Sequence, residues 1–254
     1  MQLDTGYLKQ GMLATVMALH LAGGARAADG LASPCELRTR GIVATEASTD
    51  GQVAALGRLS NECQSDEFFA STHAFRLSML GRFEESLRLA EKALPSAQRY
   101  RDNLRATLIS NKAGLGRSDE AYSDAIRFAK ESPRFASFRF LLARMDADRK
   151  QWASAQAHIT EAIAIDRDPT YLMLRATFRY QQKDLQGTVA DVHEALLLDP
   201  ARVASPGGLI EGLYALVILG RTDEAKELLV RHKKANPQWQ HFEPMARIAR
   251  ELER

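Results

Sequence analysis

The 254-residue sequence predicts an all-α fold, a solenoid in which antiparallel helix pairs stack on one another. Three observations support this class. A pattern of turn, small and apolar residues recurs five times, at a spacing of about 34 residues. Within each copy, apolar residues recur at intervals of three and four, which is typical of one face of a helix. A glycine or lysine interrupts each copy near its middle, and a proline follows most copies, as at helix ends.

These five repeats, numbered 1 to 5 in chain order, are aligned on their turn residues. The turn residues are Gly81, Gly116, Lys150, Lys183 and Gly220. Five positions after each turn stands a small residue: Ser86, Ala121, Ala155, Thr188 or Ala225. Small side chains at these positions let neighbouring helix backbones approach closely. Because one helix pair cannot bury its apolar face alone, successive pairs are expected to stack around a continuous core and form a curved rod.

A period near 34 residues, with an alanine in the second helix and a closing proline, resembles the tetratricopeptide repeat. The segments Glu194–Pro200 and Leu219–Ala225 are especially close to that family's pattern. The resemblance covers residues 67–237, and it implies a right-handed superhelical solenoid of five helix pairs. Residues 28–66 are then expected to form an amino-terminal helical cap. Residues 238–254 are amphipathic and are expected to form a carboxy-terminal capping helix.

The first 27 residues have the pattern of a secretory signal. Lys9 precedes an apolar run from Gly11 to Ala22, and Ala25-Arg26-Ala27 supplies a small-x-small cleavage site. This pattern predicts a cleaved signal peptide over residues 1–27; a retained anchor and a buried core helix are the alternatives. We therefore expect an exported protein of the bacterial periplasm or cell envelope, which meets a membrane only through this segment if it is not cleaved.

The chain has two cysteines, Cys35 and Cys63, and both follow the proposed cleavage site. In an oxidising compartment such a pair is expected to form one disulfide, with two reduced and buried thiols as the alternative. The bond would join a helix ending near Cys63 to an extended strand or short helix around Cys35. No C-x-x-C pair occurs, so redox catalysis and structural zinc have no residues to support them.

No motif for catalysis is present. The sequence lacks G-x-S-x-G, a phosphate-binding glycine loop and H-E-x-x-H. Its six histidines are interpreted as solvated surface residues, and its formal net charge of +2 argues against binding to nucleic acid. We therefore predict a protein that is not an enzyme and that holds no metal and no cofactor.

In tetratricopeptide proteins the first helices of the pairs line a concave groove. Carried over by position, the predicted groove residues are Phe68, Phe75, Phe140, Arg144, Met173, Tyr180 and Tyr214. The lysine–asparagine clamp that some members use for a terminal carboxylate is absent, since Ser71 and Phe75 stand at its first pair of positions. An apolar and aromatic groove suits an extended or helical peptide segment. Packing between helix pairs is the alternative for each aromatic residue.

A second candidate surface is rich in arginine, with an ordinary solvated face as the alternative interpretation. Its residues are Arg88, Arg99, Arg101, Arg105, Arg127, Arg134 and Arg139.

These features favour a non-catalytic scaffold or adaptor that binds another protein or a peptide segment. For exported members, the resemblance implies a role in assembling or regulating an envelope, secretion, pilus or exopolysaccharide-export complex. A glycan- or peptidoglycan-binding module, with sugars stacked on Tyr180 and Tyr214, is one alternative. A non-catalytic accessory subunit of an envelope enzyme is the other. The sequence indicates no oligomeric state.

Overall fold

A computed structural model describes residues 32–200, 207–236 and 243–253 of the chain. These residues form thirteen α-helices and no β-strand. The predicted all-α class is confirmed, because within each of two compact units neighbouring helices pack against one another. The predicted signal peptide over residues 1–27 lies outside the described residues, as do the first five residues of the predicted carboxy-terminal cap.

The helices are numbered in chain order. They are α1 (Pro34–Thr45), α2 (Thr49–Cys63), α3 (Glu67–Met79), α4 (Phe83–Ala93), α5 (Arg101–Gly114), α6 (Ser118–Glu131), α7 (Ala136–Asp148), α8 (Trp152–Ile165), α9 (Pro169–Gln181), α10 (Leu185–Leu198), α11 (Gly207–Ile218), α12 (Thr222–Ala235) and α13 (Glu243–Leu252). None of these helices combines the length and the hydropathy that crossing a bilayer requires.

The chain divides into two compact units, and the boundary falls after Leu142, within α7. The described part of the first unit, residues 32–142, contains α1 to α6. The second unit begins at Ala143 and contains α8 to α13. In each unit, the first helix of a repeat packs against its own second helix and against the first helix of a neighbouring pair, as α3 does with α4 and α5 and α9 does with α10 and α11.

The five predicted turn residues all adopt the left-handed conformation. Their φ angles are 73° at Gly81, 78° at Gly116, 59° at Lys150, 64° at Lys183 and 73° at Gly220. The residue after each turn donates its amide to a carbonyl five positions earlier, for example Arg82 to Leu77 at 3.0 Å. This bond satisfies a carbonyl that the ending helix leaves unpaired, so each first helix ends and the chain reverses at the predicted residue.

The small residues after the turns lie in the core. Ser86, Ala121, Ala155, Thr188 and Ala225 are all completely buried. The hydroxyl of Ser86 donates to the carbonyl of Ala74 on the paired helix, which satisfies a polar group that has no access to water. The contact between the two helices of a repeat is therefore close at the position that the sequence pattern predicts.

The amino-terminal residues form a complete helix pair. Of the two alternatives around Cys35, a strand or a short helix, the structure has a helix of twelve residues. Ser33 caps this helix and Pro34 supplies a preset φ at its first position. Ser48 caps α2 in the same way. The predicted disulfide is present and joins the first turn of α1 to the last residue of α2, with 5.6 Å between the Cα atoms of Cys35 and Cys63.

Helix α13 covers the last repeat of the second unit. Its apolar residues Met245, Ile248, Ala249 and Leu252 are buried and belong to the same core cluster as residues of α11 and α12. The outer residues of this helix are charged, and Arg250 pairs with Glu243 at 2.7 Å. A polar outer face on a terminal helix is what a stack of repeats needs at its end.

Candidate binding site

The predicted groove residues Phe68 and Phe75 both lie on α3 and are both buried. The ring of Phe68 packs edge-on against Tyr100, with 5.1 Å between the ring centroids. The guanidinium of Arg40, from α1, lies 4.8 Å from the centroid of the Phe68 ring. The helix pair α1–α2 thus contributes to the surroundings of Phe68.

A charged network holds α1 beside Phe68. The buried carboxylate of Glu36 accepts from Arg40 at 2.6 Å, and Arg99 lies 3.8 Å away. The hydrogen bond to Glu36 raises the pKa of Arg40, although burial opposes it. Glu67, at the start of α3, accepts the backbone amides of Gln98, Arg99 and Tyr100 at 2.6, 3.1 and 3.2 Å. The loop before α5 is fixed by these bonds.

Phe140 and Arg144 lie one turn apart on α7, on opposite sides of the boundary between the units. Phe140 is buried and Arg144 is half-buried. Burial lowers the pKa of Arg144 to about 10, against the opposing effect of Asp148. Arg144 therefore remains charged at neutral pH. The groove role of Phe68, Phe75, Phe140 and Arg144 stays a prediction.

The other three predicted groove residues are brought together in the second unit. Met173 and Tyr180 on α9 share one apolar cluster with Tyr214 on α11. Met173 and Tyr214 are buried, whereas Tyr180 is half-buried. The two helices approach closely because Gly208 has no side chain; a Cβ there would lie 2.2 Å from the carbonyl oxygen of Met173. These three residues also stay predicted binding residues.

Glu211 is a candidate binding residue that the sequence analysis missed. It lies on α11 between Gly208 and Tyr214, and only 7% of its surface is exposed. Its Oε2 atom is buried without a hydrogen-bond partner, and so is the hydroxyl of Tyr214. Burial raises the pKa of Glu211 to about 8, with a smaller opposing effect from its own backbone amide. A signal was present, since Glu211 is the one charged residue between Leu209 and Leu219.

Tyr180 is electrostatically linked to these two residues. Burial is the largest cause that raises the pKa of Tyr180, and the nearby Glu211 and Tyr214 raise it further. Because Tyr180 is half-buried, the cluster of Tyr180, Glu211 and Tyr214 meets solvent at this residue. We call these three residues the Glu211 cluster.

Two histidines differ from the interpretation as solvated surface residues. His73 on α3 and His232 on α12 are buried, and burial lowers the pKa of each to about 4. They are neutral at physiological pH. His158 contacts the buried carboxylate of Asp146 at 2.8 Å, and His193 lies 3.1 Å from Glu224. No three potential metal ligands converge within the part of the chain that the structure describes.

Several members of the predicted arginine-rich surface are engaged in ion pairs. Arg105 pairs with Asp102 and Glu131, and Arg127 pairs with Asp124. Their guanidinium groups also lie over the ring of Phe128, at 4.5 and 4.6 Å from its centroid. These contacts neutralise part of the positive charge with which this surface would attract an anionic partner.

No protein-family model matches the sequence, and no curated protein is significantly similar to it. The structure is similar to the crystal structure of TTC0263, described as a thermophilic TPR protein in Thermus thermophilus. The match has a TM-score of 0.62 and 18% sequence identity, and covers 72% of this chain and 99% of that chain. The fold is of the tetratricopeptide type.

The tetratricopeptide fold bears on function only in general terms. At 18% identity the likeness to TTC0263 concerns the fold alone.

Proposed function

We propose that this protein is a non-catalytic scaffold that binds a segment of a partner protein on the first helices of its tetratricopeptide-type pairs. The observation that carries this proposal is the side-by-side packing of α9 and α11, with Met173, Tyr180 and Tyr214 in one cluster and Tyr180 reaching solvent. Aromatic residues of this kind provide large contact areas at low entropic cost and are common energetic anchors of interfaces.

We also propose that the scaffold works in the periplasm or cell envelope of a bacterium. The Cys35–Cys63 disulfide supports this location, because structural disulfides persist in oxidising compartments. The signal-like pattern of residues 1–27 supports export independently. An envelope, secretion, pilus or exopolysaccharide-export complex is the kind of assembly in which we expect its partner.

Replacing Tyr180 tests the binding surface. Partners would be crosslinked to the tagged protein in native envelope extracts and identified by mass spectrometry. We expect Tyr180→Ala to reduce capture of the partner about tenfold, because an aromatic anchor at an interface contributes on the order of 1–2 kcal/mol.

Val230→Ala is the matched control for this experiment. Val230 is an exposed apolar residue on the second helix of repeat 5, with 63% of its surface accessible. We expect it to leave capture unchanged. If Val230→Ala lost the partner while Tyr180→Ala captured it fully, the proposed surface would be wrong. The partner would then bind the second helices and not the first.

A further inference from the structure

Two polar groups of the Glu211 cluster have no hydrogen-bond partner among the residues that the structure describes. Oε2 of Glu211 and the hydroxyl of Tyr214 are both buried, and neither makes a hydrogen bond. A buried polar group without a partner costs about 1–3 kcal/mol, which is why native proteins contain few of them. The two groups lie beside each other, and Tyr180 lies at the solvent edge. A ligand bound there could supply the missing hydrogen bonds.

Among the described residues, no basic side chain of the neighbouring helices forms an ion pair with Glu211. Lys226, Arg231 and Lys234 of α12 are exposed to solvent. On α9, Arg175 and Arg179 pair with Asp191 of α10 at 2.7 and 2.9 Å. Other contacts between basic and acidic side chains on or beside the packed helices include Arg167 with Glu194, His193 with Glu224, Arg221 with Glu224, Lys233 with Glu253, Arg247 with Glu251 and Arg250 with Glu243. His232 on α12 is neutral because of its burial.

We propose that the Glu211 cluster binds a basic side chain, preferably arginine, of the partner segment. This inference rests on the proposed function, since it names the chemistry of the segment that the first helices would bind. The carboxylate of Glu211 accepts N–H bonds from a guanidinium, and the hydroxyl oxygen of Tyr214 accepts another. The ring of Tyr180 provides a face for the cation. An apolar residue would leave both polar groups unsatisfied.

Binding in this way releases a proton. Without ligand the carboxyl of Glu211 is protonated at neutral pH, because burial raises its pKa to about 8. Beside a guanidinium the charged form is favoured, so the carboxyl proton leaves to solvent as the ion pair forms. The arginine keeps its own proton throughout. We therefore expect binding of a basic segment to release up to one proton at pH 7 and to tighten as the pH rises from 6 to 8.

Peptide display on the full-length protein tests this directly. Wild-type protein, Glu211→Gln and the control Glu227→Gln would each be used to select from the same random peptide library. Glu227 is an exposed acid on α12, so its replacement makes the same chemical change outside the cluster. We expect wild type and Glu227→Gln to select peptides with a basic residue at a fixed position. Glu211→Gln should lose that preference and bind the selected peptides about 10- to 100-fold more weakly.

The outcomes separate this inference from the proposed function. If wild type selects peptides without a fixed basic residue, or if Glu211→Gln keeps the preference, the inference is wrong while the scaffold function stands. If wild type selects no peptide at all, the proposed function fails. Replacing the selected arginine by citrulline, in which a neutral urea of similar shape stands in place of the guanidinium, should weaken binding as much as Glu211→Gln does.

A second measurement uses wild-type protein alone and does not depend on how well a variant folds. The carboxyl pKa of Glu211 would be followed by the ¹³C shift of its side chain in glutamate-labelled protein, with and without ethylguanidinium. We expect the ligand to lower this pKa by at least about one unit, as an opposite charge in contact does. An unchanged pKa at ethylguanidinium concentrations that saturate other weak cation sites would overturn the proposal.

Discussion

Asp191 and Glu211 are both buried acidic residues of the second unit. Asp191 has basic partners, whereas Glu211 has none among the described residues. Asp191 on α10 accepts from Arg175 and Arg179, which oppose the rise in pKa that burial causes. For Glu211, burial acts without any opposing cation, and the pKa rises to about 8. A charged pair between α9 and α10 is therefore part of the fold, whereas the carboxyl on α11 is available to a ligand.

The pH dependence of stability follows from Glu211. Its pKa is about 8 in the folded protein and 4.5 as the ordinary value, so between these pH values the folded state holds a proton that the unfolded state has lost. The stabilisation that comes from the proton on Glu211 is complete below pH 4.5, and it is lost as the pH rises through 8. We expect urea unfolding to show wild type losing stability relative to Glu211→Gln between pH 5 and 9, by at most about 5 kcal/mol. Parallel pH profiles of the two proteins would contradict a buried, unpaired carboxyl.

Single residues are also where sequence reasoning was weakest, because burial of a side chain depends on neighbouring helices. His73 and His232 have no local sequence feature that distinguishes them from His158, yet they are buried and His158 is bonded to Asp146. Glu211 was detectable as a lone charge in an apolar run. What the sequence could not supply is whether another helix would bring it a partner.

At the scale of elements, the turns between paired helices use two different solutions. In repeats 1, 2 and 5 the turn residue is glycine, and the following arginine pairs with a glutamate three positions on, as Arg117 does with Glu120 at 2.6 Å. In repeats 3 and 4 a lysine occupies the same left-handed position, at Lys150 and Lys183. A side chain in this conformation costs about 1 kcal/mol relative to glycine.

Replacing a turn lysine by glycine should therefore stabilise the protein. We expect Lys183→Gly to raise the free energy of unfolding by about 1 kcal/mol, since the exposed lysine side chain is removed and the strain is relieved. The matched change Gly220→Ala at the equivalent turn should lower it by a similar amount. For both variants the free energy of unfolding is measured by urea denaturation, followed with a signal from the second unit. If Lys183→Gly were less stable than wild type, the lysine side chain would stabilise the folded state by more than its left-handed backbone conformation costs.

Elements were predicted well wherever the repeat pattern was present. The turn residues and the buried small residues are local signals reinforced five times, and all of them have the expected conformation or burial. The pair α1–α2 lacks these signals, because its connection at Glu46–Ser48 contains no glycine and no left-handed residue. The sequence pattern therefore left open whether its first element was a strand or a helix, although Ser33 and Pro34 are typical of a helix start.

At the scale of the whole molecule, each unit owes its stability to contacts between neighbouring pairs. In the second unit, α11 packs on α9 and α10 of the preceding repeat as well as on α12 and α13. Val192 and Ala195 of α10 and Leu213 of α11 share one buried cluster. Damage to one helix should therefore spread to the next pair, because no pair has a complete core of its own.

Ala195→Pro tests this coupling. Ala195 is completely buried in α10, and proline there removes an intrahelical bond and clashes with the preceding turn, at a cost of about 3 kcal/mol or more. We expect hydrogen exchange to accelerate in α9 and α11 as well as in α10. Ala195→Gly is the control, since it changes the same position at a cost of about 1 kcal/mol and keeps the helix. Exchange that rises in α9 and α10 alone would mean that repeat 4 unfolds independently, and that stacking between pairs does not stabilise the second unit.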